Sequence, residues 1–492
     1  MEKLSLKQLT DILSDRKAVT LKQTDVKQRK LTAGLILLAS DIVALSFSII
    51  FALLVRDAFW HGDVLLDTYL PLLPLLMALF PLAYLIRGLY PGFGLDAIEE
   101  LRTLTYSTTA VYAILATLSF MVKDTWDYSR LAYVLSWIIS LIAVPLGRSL
   151  IKNKFANKDW WGLPVLIIGA GQAGEKVIKS LQKHYQIGLK PFLAVDDDTD
   201  KWGYINHIPV IGDLEIIPKL AERLKIEQTI IAMPSVERKR KKEIIQKYSK
   251  YFENTTFIPD LYGISSLWVN SKDIGGILGL EVQEKLLKPS SQTKKRIFDF
   301  VLAAFLMILL SPLFLVLAIM IKLDSKGNVF FKQERMGKNN TRFKIIKFRT
   351  MFEDAEDKLN DLLNENEHYR SEYEVYHKLR TDPRLTRVGK FLRKFSLDEL
   401  PQFINVLKGD MSLIGPRAYL PSERKKMNGY EEMILKVKPG ISGLWQVTDR
   451  NESSFEERNE TDVYYIRNWT MFLDIYIVAR TIGVVLTGRG AY

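Results

Sequence analysis

The chain has 492 residues, 48% of them hydrophobic, no cysteine, and a formal net charge of +12. That length predicts several structural units rather than one, and the missing thiols exclude a disulfide framework and a thiolate metal site. The basic balance leaves nucleic acid, anionic lipid and phosphorylated substrates as partner classes, while the five histidines (His61, His184, His207, His368, His377) lack any metal-ligand spacing.

Residues 1–30 form a basic arm with no apolar h-region or cleavage site, so they do not read as a signal peptide. Four apolar stretches follow at about 31–55, 64–86, 104–122 and 131–147. Each approaches the ~20 residues a bilayer core requires, which predicts a four-helix transmembrane bundle over 31–150. Asp41 and Asp67 interrupt the first two stretches and should face the bundle interior or an interface. Lys and Arg crowd the arm, the second connection (Arg87, Arg102) and the segment after the fourth span (Arg148, Lys152, Lys154, Lys158). The outer loops carry only Arg56, Lys123 and Arg130. This asymmetry predicts that both ends of the bundle are cytoplasmic.

Residues 160–288 read as a Rossmann-like α/β domain. A buried strand at 163–169 runs into Gly169-Ala170-Gly171-Gln172-Ala173-Gly174 and a helix. A second strand, 191–195, ends on Asp196, where a ribose-binding acid would sit. Further strands are expected at 209–211, 229–233 and 256–259. Gly169, Gly171, Gly174 and Asp196 are therefore candidates for a nucleotide site, although the same glycines serve ligand-free packing of helix on sheet.

Lys288–Lys295 has the composition of a linker. The next segment, 297–322, is almost wholly apolar, with Ser311-Pro312 at its centre and cations on both sides (Lys294, Lys295, Arg296; Lys322, Lys326, Lys332). Equal flanking charge predicts that both ends stay cytoplasmic. A mid-helix proline bends a helix, and Ser311 can satisfy a freed carbonyl. The expected element is a re-entrant helix, with a kinked spanning helix as the alternative.

Downstream, strand-like runs cover 330–337 and 343–351, a charged helix is expected over 353–368, and Lys438–Val447 reads as a turn-rich loop. Between them, Asp398 and Glu399 are adjacent acids among Arg393, Lys394, Lys408 and Arg417. Such a pair is most often a helix start whose acids suit the helix dipole. Ringed by fixed cations, it also suits a site holding a divalent metal and a polyphosphate together. Aromatic and basic interleaving fits a membrane interface. RNA binding is disfavoured, because no recognition motif appears and the unit begins in a membrane.

At these residues the chain resembles the bacterial sugar transferases, the monotopic polyprenyl-phosphate phosphoglycosyl transferases. The matching motifs are Ser311-Pro312, Lys347-Phe348-Arg349-Thr350-Met351, Asp382-Pro383-Arg384, Ser396-Leu397-Asp398-Glu399-Leu400-Pro401-Gln402, Gly415-Pro416-Arg417 and Pro439–Val447. The bundle and α/β domain resemble the large membrane-bound members, and the tail from Tyr464 to Tyr492 is similar to undecaprenyl-phosphate galactose phosphotransferases. Ala418 departs from the proline that many members carry after Gly-Pro-Arg.

The resemblance implies a catalytic domain over 289–492 at the bacterial inner membrane. It implies transfer of a sugar 1-phosphate, galactose before glucose, from a UDP-sugar to undecaprenyl phosphate in polysaccharide synthesis, with release of UMP. Asp398 would be the covalent nucleophile and Glu399 its metal partner, with Mg²⁺ held by the two. Arg393 and Arg417 would contact phosphate; Lys347 and Arg349 are weaker phosphate candidates. Gln333, Arg335, Trp445 and Gln446 are nucleotide or fold residues. A homodimer is expected, with the α/β domain as dimer contact or nucleotide sensor and no nucleic-acid partner. Two other classes remain. A membrane-anchored nucleotide-sugar dehydratase needs Tyr with Lys four residues later, a spacing absent here. A non-enzymatic assembly scaffold would tolerate loss of Asp398.

Overall fold

The computed structural model describes residues 26–59, 73–121, 129–259, 269–274, 277–282, 284–353, 355, 359, 382–448 and 454–487. Most of the basic arm, Asp67, Pro71, most of the charged stretch 353–368 and the tail Gly490–Tyr492 lie outside them. The chain divides into two compact units, Met1–Tyr262 and Gly263–Tyr492.

The first unit opens with four helices: α1 (Val26–Phe59), α2 (Leu73–Ile86), α3 (Ala97–Met121) and α4 (Arg130–Phe155). Two of them, α1 and α4, are long and apolar enough to cross a membrane. The described part of α2 has only 14 residues. α3 begins seven residues before the expected apolar stretch and takes Glu99, Glu100 and Arg102 into its first turns. Leu31, Leu35, Val43, Phe47, Ile142 and Leu146 are exposed on the outer faces of α1 and α4, while Asp41, Ser48, Ser140 and Arg148 are buried. Apolar outside with polar inside is the arrangement that a hydrocarbon solvent favours.

That polar interior engages two of the cations counted for the orientation. Arg148 and Lys152 do not stand free at a membrane face. Arg148 meets the Asp41 carboxylate at 2.6 Å and Glu100 at 3.2 Å, and Lys152 meets Glu100 at 2.7 Å. Tyr90 also donates to Asp41 at 2.6 Å. Ions buried this deeply persist only when paired and hydrogen-bonded, as here.

Next comes a six-stranded sheet. Its strands are β1 (Leu163–Ile168), β2 (Leu189–Val195), β3 (Gly203–Ile205), β4 (Ile208–Val210), β5 (Gln228–Ile231) and β6 (Asn254–Phe257), in the order β3-β4-β2-β1-β5-β6. All neighbours are parallel except β3 and β4. Helices α5 (Gln172–Lys183), α6 (Ile217–Leu224) and α7 (Arg238–Tyr248) alternate with the strands. β1 is buried along its whole length, as a central parallel strand covered on both faces must be. The expected α/β sheet is thus present.

In the second unit a hairpin, β7 (Val269–Ile274) and β8 (Ile277–Val282), precedes α8 (Pro289–Leu309) and α9 (Ser311–Asp324). Residues 289–295, expected as a linker, are instead the first turns of α8. Pro289 sits where a missing N–H costs nothing. α8 and α9 meet at 62°. Pro312 does not kink a continuous helix; it lies in the first turn of α9, and the break falls at Leu310. Ser311 Oγ donates to the Ile308 carbonyl at 2.8 Å, satisfying a group the break frees. Lys295, counted as a flanking charge, is buried against Asp474 at 2.8 Å and Asp299 at 3.5 Å.

The remaining elements are β9 (Phe330–Met336), β10 (Arg342–Phe348), α10 (Arg387–Lys394), α11 (Gln402–Lys408), β11 (Ser412–Ile414), α12 (Glu431–Ile434), β12 (Gly440–Ser442), α13 (Leu444–Thr448), α14 (Phe455–Asn468) and α15 (Met471–Thr487). Lys438–Val447 is therefore not all loop: it supplies β12 and most of α13.

Candidate active site

Asp398 and Glu399 do not open a helix. They lie in a single 3-10 turn, Leu397–Glu399, between α10 and α11, entered through Ser396 at φ 52. Leu397 and Leu400 bracket the acids and pack on Leu317, Ile321, Phe348 and Leu392. The apolar residues thus pin the turn to α9, and the acids between them are held over the broken helix.

Three neighbouring elements bring cations to this turn. Lys347 on β10 sits 2.7 Å from Glu399 and 4.0 Å from Asp398. Its strand is fixed by Asn405 of α11, which accepts the Ile346 N–H at 3.0 Å and donates to the Lys344 carbonyl at 2.9 Å. Arg393 comes from α10. That helix can approach because position 389 is glycine: a Cβ there would overlap the Thr350 carbonyl. The approach lets Arg393 Nε donate to Thr350 Oγ1 at 3.2 Å. Arg335 is the third cation. Burial, with Arg417 nearby, pushes its guanidinium down to about 10, against the pull of Glu423 and Glu399. In the β9–β10 register Gln333 pairs with Ile345, Arg335 with Phe343 and Phe331 with Lys347. Gln333, Arg335 and Lys347 therefore share one face of the hairpin.

Burial pushes the Asp398 carboxyl up to about 6, with Glu399 adding to the shift and Lys347 and Arg393 opposing it. A carboxylate in this state is largely ionised at neutral pH yet poorly hydrated, the condition of an activated nucleophile. The pair also offers a metal two carboxylates. Among the described residues no cluster of three or more His, Asp or Glu could hold a metal ion. Two carboxylates completed by substrate phosphates is the usual donor set for magnesium, so the residues fit that ion only together with a phosphorylated substrate.

The two glycine-rich motifs form one structure. β11 and β12 pair in parallel; the Gly415 N–H donates to the Ser442 carbonyl at 2.9 Å and the Gly440 N–H to the Pro416 carbonyl at 2.8 Å. Glycine is required at 440, where a Cβ would strike the Gly415 backbone. The pairing sets Arg417 over the Trp445 ring at 5.9 Å.

Over the same ring, at 5.0 Å, is Arg458 of α14, which the sequence did not single out. Asn459 and Asp462 follow on the same helix. Asp462 is fully buried, pushed up to about 7 by burial, and accepts from the Arg417 N–H and the Tyr419 hydroxyl. Arg335 Nε and Nη1, Trp445 Nε1, Arg458 Nε, the Asn459 amide and Asp462 Oδ1 are buried without hydrogen-bond partners. Nothing local in the charged run Phe455–Asp462 marks these residues; only the burial of Asn459 and Asp462 and the place of Arg458 over Trp445 do.

Other expected site residues are engaged elsewhere. Arg349 donates to the Lys326 and Ser325 carbonyls at 2.6 and 2.8 Å, holding the turn that follows α9. Lys408 stands at the far end of α11, away from the acid pair it was expected to ring. Gln446 lies on α13, its N–H bonded to the Gly443 carbonyl. In the sheet domain, Asp196 accepts the Ala170 N–H at 2.7 Å and the Asp198 N–H at 2.9 Å. A Cβ on Gly169 would strike Met233 and Ala232, and one on Gly174 would strike the Gly169 carbonyl. These contacts are the close packing of helix on sheet.

Comparison with known proteins adds three relatives. The sequence profile of the bacterial sugar transferases matches residues 290–488, and that of a CoA-binding domain matches residues 86–259. An undecaprenyl-phosphate galactose phosphotransferase from Salmonella typhimurium is 35% identical over 79% of this chain and 81% of its own length. A UDP-glucose:undecaprenyl-phosphate glucose-1-phosphate transferase from Escherichia coli is 31% identical over 72% of this chain and 74% of its own. The exopolysaccharide production protein ExoY of Sinorhizobium fredii is 39% identical over 42% of this chain and 91% of its own length.

Proposed function

Because the chain belongs to the bacterial sugar transferase family and is a sugar phosphotransferase, we propose that it moves galactose 1-phosphate from UDP-galactose to undecaprenyl phosphate. Asp398 Oδ attacks the sugar-bearing phosphorus. The bond from that phosphorus to the bridging oxygen breaks, and UMP leaves with the oxygen. The product is an acyl phosphate, the mixed anhydride of Asp398 and the sugar phosphate. An oxygen of the lipid phosphate then attacks the same phosphorus, forming the lipid diphosphate sugar and freeing the Asp398 carboxylate. The observation that carries this reading is the buried Asp398 carboxyl, held at about 6 within reach of Lys347 and Arg393.

Arg393 and Lys347 would hold the diphosphate by charge-assisted hydrogen bonds. The unpartnered donors of Arg335, Trp445 and Arg458 beside Arg417 support a nucleotide-diphosphate seat there. Glu399, with Asp398 and substrate phosphates, would hold Mg²⁺, which when bound offsets the charge on departing UMP. The two apolar helices and the broken α8–α9 pair support a chain of the inner membrane, re-entrant at Leu310, its catalytic unit at the headgroup level on the cytoplasmic side. Galactose is favoured over glucose by the higher identity to the galactose enzyme. A homodimer remains part of the reading by resemblance alone.

The test is UMP release. Asp398→Asn should lower it by at least about a thousandfold with normal membrane insertion. Wild-type release by that variant overturns the covalent mechanism. A screen of UDP-sugars against the wild-type chain decides the sugar, and UDP-glucose outperforming UDP-galactose would move the assignment to glucose.

A further inference from the structure

The second unit contains a cavity of about 420 Å³ whose walls include Lys295, Arg296, Asp299, Lys338, Ser412 and Lys438. It lies at the opposite end of α11 from the acid pair: Arg296 donates to the Val406 and Leu407 carbonyls, the last turn of that helix, at 2.5 and 2.9 Å. Its charges do not balance. Lys295 is neutralised by Asp474 and Asp299. Among the described residues Lys338 bonds only a neutral amide, Gln292 Oε1 at 2.7 Å. Lys438 has no acid within ion-pair distance among the described residues. Burial, with Arg296 and Lys338 nearby, lowers its ammonium, and Asp299 and Asp410 only partly oppose this. Around this space four cations (Lys295, Arg296, Lys338, Lys438) face three acids (Asp299, Asp410, Asp474), so a net positive charge remains in a partly buried setting, an arrangement that an anionic ligand stabilises.

The position of the cavity says which anion. Ile297 forms part of its wall, and immediately beyond it Phe300, Val301, Phe305 and Ile308 are exposed on α8. The cavity thus sits where the helix passes from polar to apolar surface. In a bilayer that level is the headgroup region, where phosphates lie and cations gather.

We propose that this cavity is a lipid site, distinct from the catalytic centre, that takes the phosphate of an anionic membrane phospholipid on Lys438, Lys338 and Arg296. The proposal rests on the reading of α8–α9 as membrane-embedded and not on the sugar-phosphate chemistry, so binding is measured without turnover.

The experiment uses the full chain in detergent, titrated with dioleoylphosphatidylglycerol, with dioleoylglycerol and with inorganic phosphate, followed by thermal unfolding and by native mass spectrometry. The phosphatidylglycerol should raise the unfolding temperature and remain bound; the other two should do neither at matched concentration. The double variant K338Q/K438Q should unfold at or above the wild-type temperature without lipid, because like charges have been removed. It should need at least about tenfold more phosphatidylglycerol for half-saturation, the change expected from losing even one charge-assisted bond. K338R/K438R should bind as wild type. Equal lipid titrations of wild type and the Gln variant overturn the proposal. So does stabilisation by inorganic phosphate equal to that by phosphatidylglycerol, which would make the cavity a soluble-anion site. UMP release by the Gln variant without added lipid should be unchanged; a loss of release with lipid binding intact would also overturn it, by assigning the cavity to turnover.

Discussion

Burial raises the Asp398 carboxyl while Lys347 and Arg393 pull it back, so the balance between them sets the pH at which the nucleophile exists. The charged form is the reactive one. Single-turnover UMP release should therefore be flat above about pH 7 and fall about tenfold per unit well below pH 6, as one proton occupies one carboxylate. Lys347→Met removes the first of the opposing cations, so the acid limb should move to higher pH. An unmoved limb would mean that the ammonium positions substrate without tuning the acid. Asp398, Glu399 and Lys347 were legible in the sequence because each sits in a short motif, and Arg393 because it precedes the acid pair by five residues. Arg458 was not: an arginine in a charged helix gains meaning only when Trp445 lies beneath it at 5.0 Å.

Elements decide whether those residues meet. Asn405 joins α11 to β10 through two hydrogen bonds, and it is buried. Asn405→Ala leaves the Ile346 N–H and the Lys344 carbonyl unpaired, so it should cost about 1–3 kcal/mol per group. Because it frees the strand that carries Lys347, the rate of UMP release should fall more than UDP-sugar affinity does. Gly389→Ala pushes α10 off the Thr350 carbonyl, at a cost of about 1–3 kcal/mol as an overpacked contact; urea unfolding of the detergent-solubilised chain measures both. At this scale the sequence misled twice. Residues 289–295 looked like a linker because composition records Pro and Ser but not that Pro289 suits a first helical turn. Lys438–Val447 looked like a loop because its glycines and proline do not show that Gly440–Ser442 pairs with Ser412–Ile414.

At the scale of the whole molecule, two compact units divide the tasks. The acid pair, its cations and the broken helix all belong to the second unit, and the sugar-transferase profile matches residues 290–488, within that unit. A chain reduced to residues 284–492 is therefore expected to keep UMP release in detergent; complete loss in a folded fragment would make the first unit part of catalysis. In the first unit, Arg148→Met would strand Asp41 in an apolar interior and leave Glu100 to Lys152 alone. Breaking a buried pair in this way costs about 3–5 kcal/mol, read as a lower unfolding temperature of the full chain. The sequence by itself determined the apolar helices, the parallel α/β sheet and the motif-bearing acid pair, because hydrophobic period and short-range spacing are local properties. Only the tertiary structure decided which charges are spent. It buried Arg148, Lys152 and Lys295 in ion pairs, turned Arg349 onto a loop and Asp196 onto the glycine turn, and among the described residues left Lys438 without an acid at ion-pair distance. The physical reason is that a charge acquires its role from the partner and the dielectric around it, and folding supplies both.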